Sequence, residues 1–427
     1  MEIKQKNDNN ILLKRVSLSL AILLFIRLGT FLPVPGIDPG HLAFFLKRHS
    51  ITNGLLSTFS GNEIFVIGLF TLNIFPYINA SIIMQFLVSL FPAISKLQKE
   101  GGGEGQRKIT RLTRLITLGW GLIQSTSLAF YLKRALFNWN LELALEIIIC
   151  LTTGAMIVLW LSEVITEYGL GNGASLLIYN NIIASLPNIS KKILNESNEN
   201  ITLQSWLILG FLFFIVLYGI VLLQEGARIV PLISSKRLIQ PTLERYSTSP
   251  KNNYIPLRFN QAGVMPIILT TAVLVIPSYL NNFSFLLPII TLPGFINSSK
   301  ILYWIIYFVL ILTFSKFYST IVLNPKDLSN QLQKDAVSIP GIRPGIATTF
   351  YLKQVMKRVT LLGAILLAIL ATFPNVIETV LHISNFNGLG TTSLLILVGV
   401  IVDISREIRS IYLTNVYNKM FYFNSKE

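Results

Sequence analysis

Cysteine is almost missing from this chain. A single residue, Cys150, stands among 427, which excludes an intrachain disulfide and any cysteine-based metal cluster. The three histidines, His41, His49 and His382, are too scattered to form a ligand set. Charge is scarce as well: Asp, Glu, Lys and Arg make up 13% of the residues, where an average soluble domain carries roughly a quarter. Acidic residues are the rarer sign, 20 against 35 basic ones, so the formal net charge is +15. Apolar residues fill the remainder, at 52%. They fall in long runs that do not alternate at period two. In lipid an unpaired backbone amide is expensive, so runs of this kind cross a membrane as helices. The expected class is an all-α, polytopic membrane protein.

Catalytic patterns are absent too. No Ser/His/Asp set, paired catalytic carboxylates or metal-ligand spacing stands out, and no enzymatic chemistry or cofactor is expected. The glycine run GGGEGQRKIT at 101–110 lacks the order G-x-x-x-x-G-K-[ST] and follows no buried strand, so it reads as a flexible basic loop. The start, MEIKQKNDNNILLKR, leads into an apolar run from Val16 to Phe31 with neither a small-residue cleavage site nor an Arg- and Ser-rich transit pattern. It reads as a retained first helix.

Runs of about 17 to 25 apolar residues mark candidate spans. They fall near 16–33, 72–91, 113–132, 142–162, 173–188, 204–225, 262–281, 300–323, 358–376 and 391–410, which makes ten. Taking the N-terminus as cytoplasm-equivalent puts 26 Lys and Arg on that side and 7 on the other, with Arg27 and Lys316 inside spans. That bias orients the chain.

The run from Leu55 to Phe91 is 37 residues long and its only charged side chain is Glu63, too much for one crossing of about 20 residues. If 55–71 also crossed, the basic loop LQKEGGGEGQRKITRLTR would move opposite the basic N-terminus. The charge count therefore makes 55–71 a segment that dips in from the far side, surrounded by protein or a water-filled cavity. The Pro-broken FSFLLPIITLPGFI at 283–296 reads as an interfacial hairpin. Ten spans split five and five around the polar stretch 188–204, and because five is odd the second half enters from the opposite side, the arithmetic of an inverted repeat.

Ionisable residues within or near spans, Arg27, Lys316, Glu142, Glu146, Glu163 and Asp403, are few and read as snorkelling or helix-end pairs. Ile74 and Ile78 lie four apart on one helical face, as do Ala174 and Ile178. By periodicity alone these are ordinary packing or lipid-facing positions.

Two long stretches, GLFTLNIFPYINASIIMQ at 68–85 and WLSEVITEYGLGNGASLLI at 160–178, resemble the signature regions of the SecY/Sec61-alpha family, the channel subunit of the protein translocon. FLPVPGID (31–38), QEGARIV (224–230), NQAGVMP (260–266), NPKDLSNQLQK (324–334), SIPGIRPG (338–345) and GTTSLLILVGVIVD (390–403) follow in the family's order. The resemblance implies two five-helix halves around an hourglass pore, here 1–190 and 205–427, joined by a hinge loop at 191–204. It implies a plug at about 55–67, carried by Leu55, Phe59, Gly61, Glu63 and Ile67. The hydrophobic pore ring would be Ile74, Ile78, Ala174, Ile178, Ile268 and Ile396, which would gate by holding water poorly. Asn79 and Ile276 would flank a lateral gate between the second and seventh spans. Two departures stand out: Asn73 replaces the family's usual Gly, and Ala174 is smaller than the usual ring residue.

The resemblance also implies a channel for unfolded or nascent polypeptides that releases apolar segments sideways into membrane lipid, driven by a motor or by synthesis. The basic loops 226–260 and 324–357 would dock the SecA motor and the ribosome, with Arg343, Arg228, Lys236 and Arg237 as the contacts and a salt-sensitive rRNA interaction. A small SecE-type clamp subunit would complete the channel. The alternative is an inverted-repeat secondary transporter of a small solute. A compact chain rich in Asn, Ile, Lys and Phe fits the plastid-encoded algal branch, in the thylakoid membrane with its basic loops in the stroma, or else a bacterial plasma membrane.

Overall fold

Apolar runs become helices at nearly all the places where the sequence puts them. The computed structural model describes residues 2–36, 68–100, 102–133, 139–184, 203–234, 253–261, 300–381 and 391–424, with 187, 263, 265–267, 269–270 and 273 singly or in short pieces. The helices are α1 (Glu2–Phe31), α2 (Phe75–Leu90), α3 (Pro92–Glu100), α4 (Gly102–Leu132) and α5 (Leu141–Tyr168). There follow α6 (Gly173–Ala184), α7 (Leu203–Glu225), α8 (Lys300–Val322), α9 (Pro325–Lys334), α10 (Ile346–Leu381) and α11 (Thr391–Asn424). Nine of the ten expected spans carry a described helix; the tenth, 262–281, falls mostly outside the described residues. Hydroxyls within these helices are turned onto their own backbone. Thr117 Oγ1 donates to the Thr113 carbonyl at 2.7 Å, Thr152 Oγ1 to Ile148 at 2.8 Å and Thr360 Oγ1 to Met356 at 2.8 Å. Each removes a polar group from the apolar surroundings without a partner helix.

The chain divides into two compact units, one of Met1–Asn200 with Val400–Glu427 and one of Ile201–Gly399. In the first, α2 and α5 both pack on α4, and the core joins Ala129 and Leu132 of α4 to Ile147, Leu151 and Ala155 of α5, with Val34 and Leu72 from the connecting chain. Cys150 lies beside this cluster, partly buried and unpaired.

The glycine run departs from its expected form: it is not a loop but the first turns of α4. Helix α3 folds back on these turns, and the Leu97 carbonyl occupies the space a Cβ at Gly105 would need. Gly105 is thus the condition for close packing of α3 and α4, and packing outweighs the low helix propensity of glycine.

In the second unit α8 and α7 pack on α10. Outside the helices lies a sheet that the all-helical expectation did not include. Strand β1 (Ala227–Ser234) pairs antiparallel with β2 (Asn253–Arg258), from Ala227 opposite Arg258 to Leu232 opposite Asn253. The two-residue β3 (Val337–Ser338) pairs with the other edge of β1. Helix α10 starts about a dozen residues before the expected span. Its first turns place Leu352, Val355, Met356 and Val359 on one face at helical spacing. That face closes a core with Val230, Leu257, Leu332 and Ile339 from the strands, α9 and the following loop. The described parts of the two basic loops therefore form a folded module with its own hydrophobic core.

Candidate functional site

The residues just before α2 are not helical. Asn73 has φ +47°, in the left-handed region that asparagine tolerates better than other side chains. Its amide N–H donates to the Phe70 carbonyl at 3.0 Å, Phe75 N–H donates to Leu72 at 3.3 Å, and Asn73 Oδ1 accepts from the Ile74 N–H at 2.8 Å. These bonds turn the chain sharply. The side chain thereby satisfies a helix-start donor that would otherwise be orphaned. A left-handed backbone of this kind suits asparagine or glycine and few other residues.

The turn is wedged among three helices of its own unit. Pro33 bridges Gly68, and Leu69 N–H donates to the Leu32 carbonyl at 2.9 Å, which ties the segment to the end of α1. The Leu69 carbonyl presses on Gly154 of α5, where any Cβ would collide with it. Asn73 Nδ2 donates to Asn181 Oδ1 of α6 at 3.0 Å, with both residues buried. The same helix is held to α1 by Asn180, whose Nδ2 donates to the Leu23 carbonyl at 3.4 Å.

From this seat the expected pore residues follow. Ile74 closes the turn, Ile78 lies one helical turn on with its N–H donating to the Ile74 carbonyl at 3.1 Å, and both are buried. Ala174 and Ile178 lie one turn apart on α6, both half-buried. Ile396 is buried on α11. Asn79 is half-buried on α2. Ile268 and Ile276, the plug residues Leu55, Phe59, Gly61, Glu63 and Ile67, and the loop residues Lys236 and Arg237 lie outside the described residues.

Arg343 is exposed on the loop between β3 and α10. Gly341 (φ +76°) and Gly345 (φ +103°) turn that loop on either side of it. The Gly345 carbonyl accepts from Ser329 Oγ of α9 at 2.9 Å, and the Arg343 carbonyl accepts from Thr348 Oγ1 at 2.9 Å. A long basic side chain thus stands on a backbone fixed at both ends. Arg228 is exposed on β1 of the same module, opposite Leu257.

Sequence reading missed Asn181 and Gly154. The signal for Asn181 was present: an Asn-Asn pair inside an apolar helix needs partners on neighbouring helices. For Gly154 there was none, since a glycine in a span carries no sign of what approaches it.

These features define a class: a polytopic protein of apolar helices that carries a small folded module of strands and helices outside them. Similar solved structures share the fold. One described as the structure of a protein conducting channel superposes with a TM-score of 0.65, covering 94% of this chain and 93% of that one at 18% identity. The canine ribosome-channel complex Sec61 gives 0.64 at 17% identity, with the same coverage of both chains. The SecY family model matches residues 68–405. Among curated relatives, a protein translocase subunit SecY from Trieres chinensis is 68% identical over 98% of this chain and 100% of its own length. Another from Synechococcus elongatus is 41% identical over 95% of this chain and 93% of its own length. The chain belongs to the SecY family, and its algal relatives mark it as the plastid type.

Proposed function

We propose that this chain is the channel subunit of a Sec protein translocase, passing unfolded or nascent polypeptides across a membrane and releasing apolar segments sideways into lipid. The observation that carries this reading is the 68% identity to a translocase subunit along nearly the full length. The seat of Ile74 and Ile78 on a fixed turn supports their role in an apolar pore ring with Ala174, Ile178, Ile268 and Ile396, which seals by dewetting. Residues 55–67 are the plug, Asn79 and Ile276 flank the lateral gate, and the halves 1–190 and 205–427 are inverted repeats of five spans joined by a hinge at 191–204.

Arg343 and Arg228, exposed on the folded module, together with Lys236 and Arg237 dock a SecA-type motor or the ribosome. A SecE-type subunit clamps the halves. The diatom relative favours a plastid thylakoid membrane with the module in the stroma over a bacterial plasma membrane. The chain performs no chemistry itself; energy comes from the motor or from synthesis.

The test is a photocrosslinker placed at Ile78 or Ile178 while a signal-bearing chain is stalled in transit. Adducts at both positions are expected. Absence of adducts at both would remove the ring assignment.

A further inference from the structure

The ring residues stand on separate elements, so the seal depends on what fixes those elements to one another. In the first unit one direct tie is a buried amide pair. Asn73 immediately precedes Ile74, and Asn181 lies on α6 two turns beyond Ala174 and one turn beyond Ile178. Asn73 Nδ2 and Asn181 Oδ1 are 3.0 Å apart, and the two residues are 2% and 7% exposed. The other face of the Asn73 amide is fixed as well, since its Oδ1 holds the Ile74 N–H at 2.8 Å. One side chain therefore sets both the backbone direction of Ile74 and its distance from the helix bearing Ala174 and Ile178. Neighbouring contacts restrict motion of the partner: Asn180 Nδ2 binds the Leu23 carbonyl at 3.4 Å, and the Leu170 N–H donates to Ser19 Oγ at 3.1 Å, so α6 and the loop before it are tied to α1.

We infer that Asn73 and Asn181 are positioning residues of the pore ring, holding the start of α2 against α6 in the sealed state and offsetting the smaller ring residue Ala174. The inference rests on the ring reading above. In an apolar interior such a bond has few competing partners, so its loss is felt as lost register rather than as hydration. Glycine at 73 would keep the left-handed backbone and remove both side-chain bonds, whereas alanine would add strain of its own. Asn73→Gly is therefore the informative change.

The experiment compares basal ion conductance of the full-length channel in planar bilayers for Asn73→Gly, Asn181→Ala, the double variant and Ile78→Asn. Asn181→Ala is expected to raise resting conductance about fivefold, the population shift that one net hydrogen bond supports, and Asn73→Gly, which also frees the Ile74 N–H, at least as much. The double variant should match Asn73→Gly alone, because that change has already removed the bond Asn181 makes to Asn73. Adding Ala174→Ile to Asn73→Gly should return conductance toward the starting level, which a general loss of stability would not allow. Unchanged conductance in Asn73→Gly, or effects that multiply in the double variant, would overturn the inference while a leak in Ile78→Asn left the ring standing. No leak in Ile78→Asn would overturn the ring reading and the inference with it.

Discussion

Arg114 of α4 grips Glu163 of α5 with both arms of its guanidinium, Nε to Oε1 at 2.9 Å and Nη2 to Oε2 at 2.7 Å. The two residues are 49 positions apart in the chain. Their pairing ties the first half of α4 to the last turns of α5, just before the GLGNG turn at 169–173. The geometry is the planar, two-pronged match that only arginine supplies to a carboxylate. Glu163 is one of the charges expected to be a helix-end pair, and it is paired.

The Arg114 side chain is 50% exposed and that of Glu163 26%, so the pair contributes at most about 1 kcal/mol. Arg114→Ala is expected to lower the thermal midpoint in detergent only slightly. Arg114→Glu, which sets two carboxylates together, should cost more, and the exchange Arg114→Glu with Glu163→Arg should recover most of the loss. The difference between the single reversal and the exchange should shrink at high salt. A salt-independent difference would show that packing rather than charge is at work.

Leu352 is fully buried at the centre of the module formed by β1, β2, α9 and the start of α10. Leu352→Ala should destabilise that module by about 2–5 kcal/mol, the range for a buried leucine that leaves a cavity. Limited proteolysis should then cut within 226–260 or 324–358 well before the apolar helices are attacked. Equal protection of variant and parent would contradict a cooperative module.

Arg343 stands on a loop fixed by Ser329 and Thr348, so reversing its charge should leave the loop folded. Arg343→Glu is expected to reduce motor-driven transport by at least about tenfold, which corresponds to about 1.4 kcal/mol of docking energy. Motor binding measured in the same membranes should fall in parallel. Intact transport by Arg343→Glu would remove the residue from the docking surface.

The helix positions were legible in the sequence because lipid imposes one rule on backbone polar groups, and the apolar runs from Val16 onward obey it. That a helix begins beside Ile74 was also legible, from the apolar run at 72–91. What sets Ile74 in place was not. The left-handed Asn73, its bond to Asn181 across 108 residues and the approach of the Leu69 carbonyl to Gly154 are tertiary facts with no periodic trace. The sheet was missed because ARIVPLIS and NYIPLR lie 18 residues apart in a stretch read as basic loop, and each contains a proline, Pro231 and Pro256, that argues against a strand. Pro256 stands opposite Ile229 and Pro231 opposite Tyr254, with the Val230–Ile255 pair between them, and β1 and β2 still pair. The helical start at Gly102 was hidden for a similar reason: glycine is a poor helix former until a neighbour needs the space it leaves.

The most direct test of the central claim is protease protection in proteoliposomes holding the full-length chain, a SecE-type subunit, a SecA-type motor and ATP. A signal-bearing precursor should become protected, the protection should require both ATP and the signal, and Ile78→Asn should relax the need for the signal. A channel that leaves the precursor fully digestible, while the same vesicles take up a small solute against an ion gradient, would contradict the account.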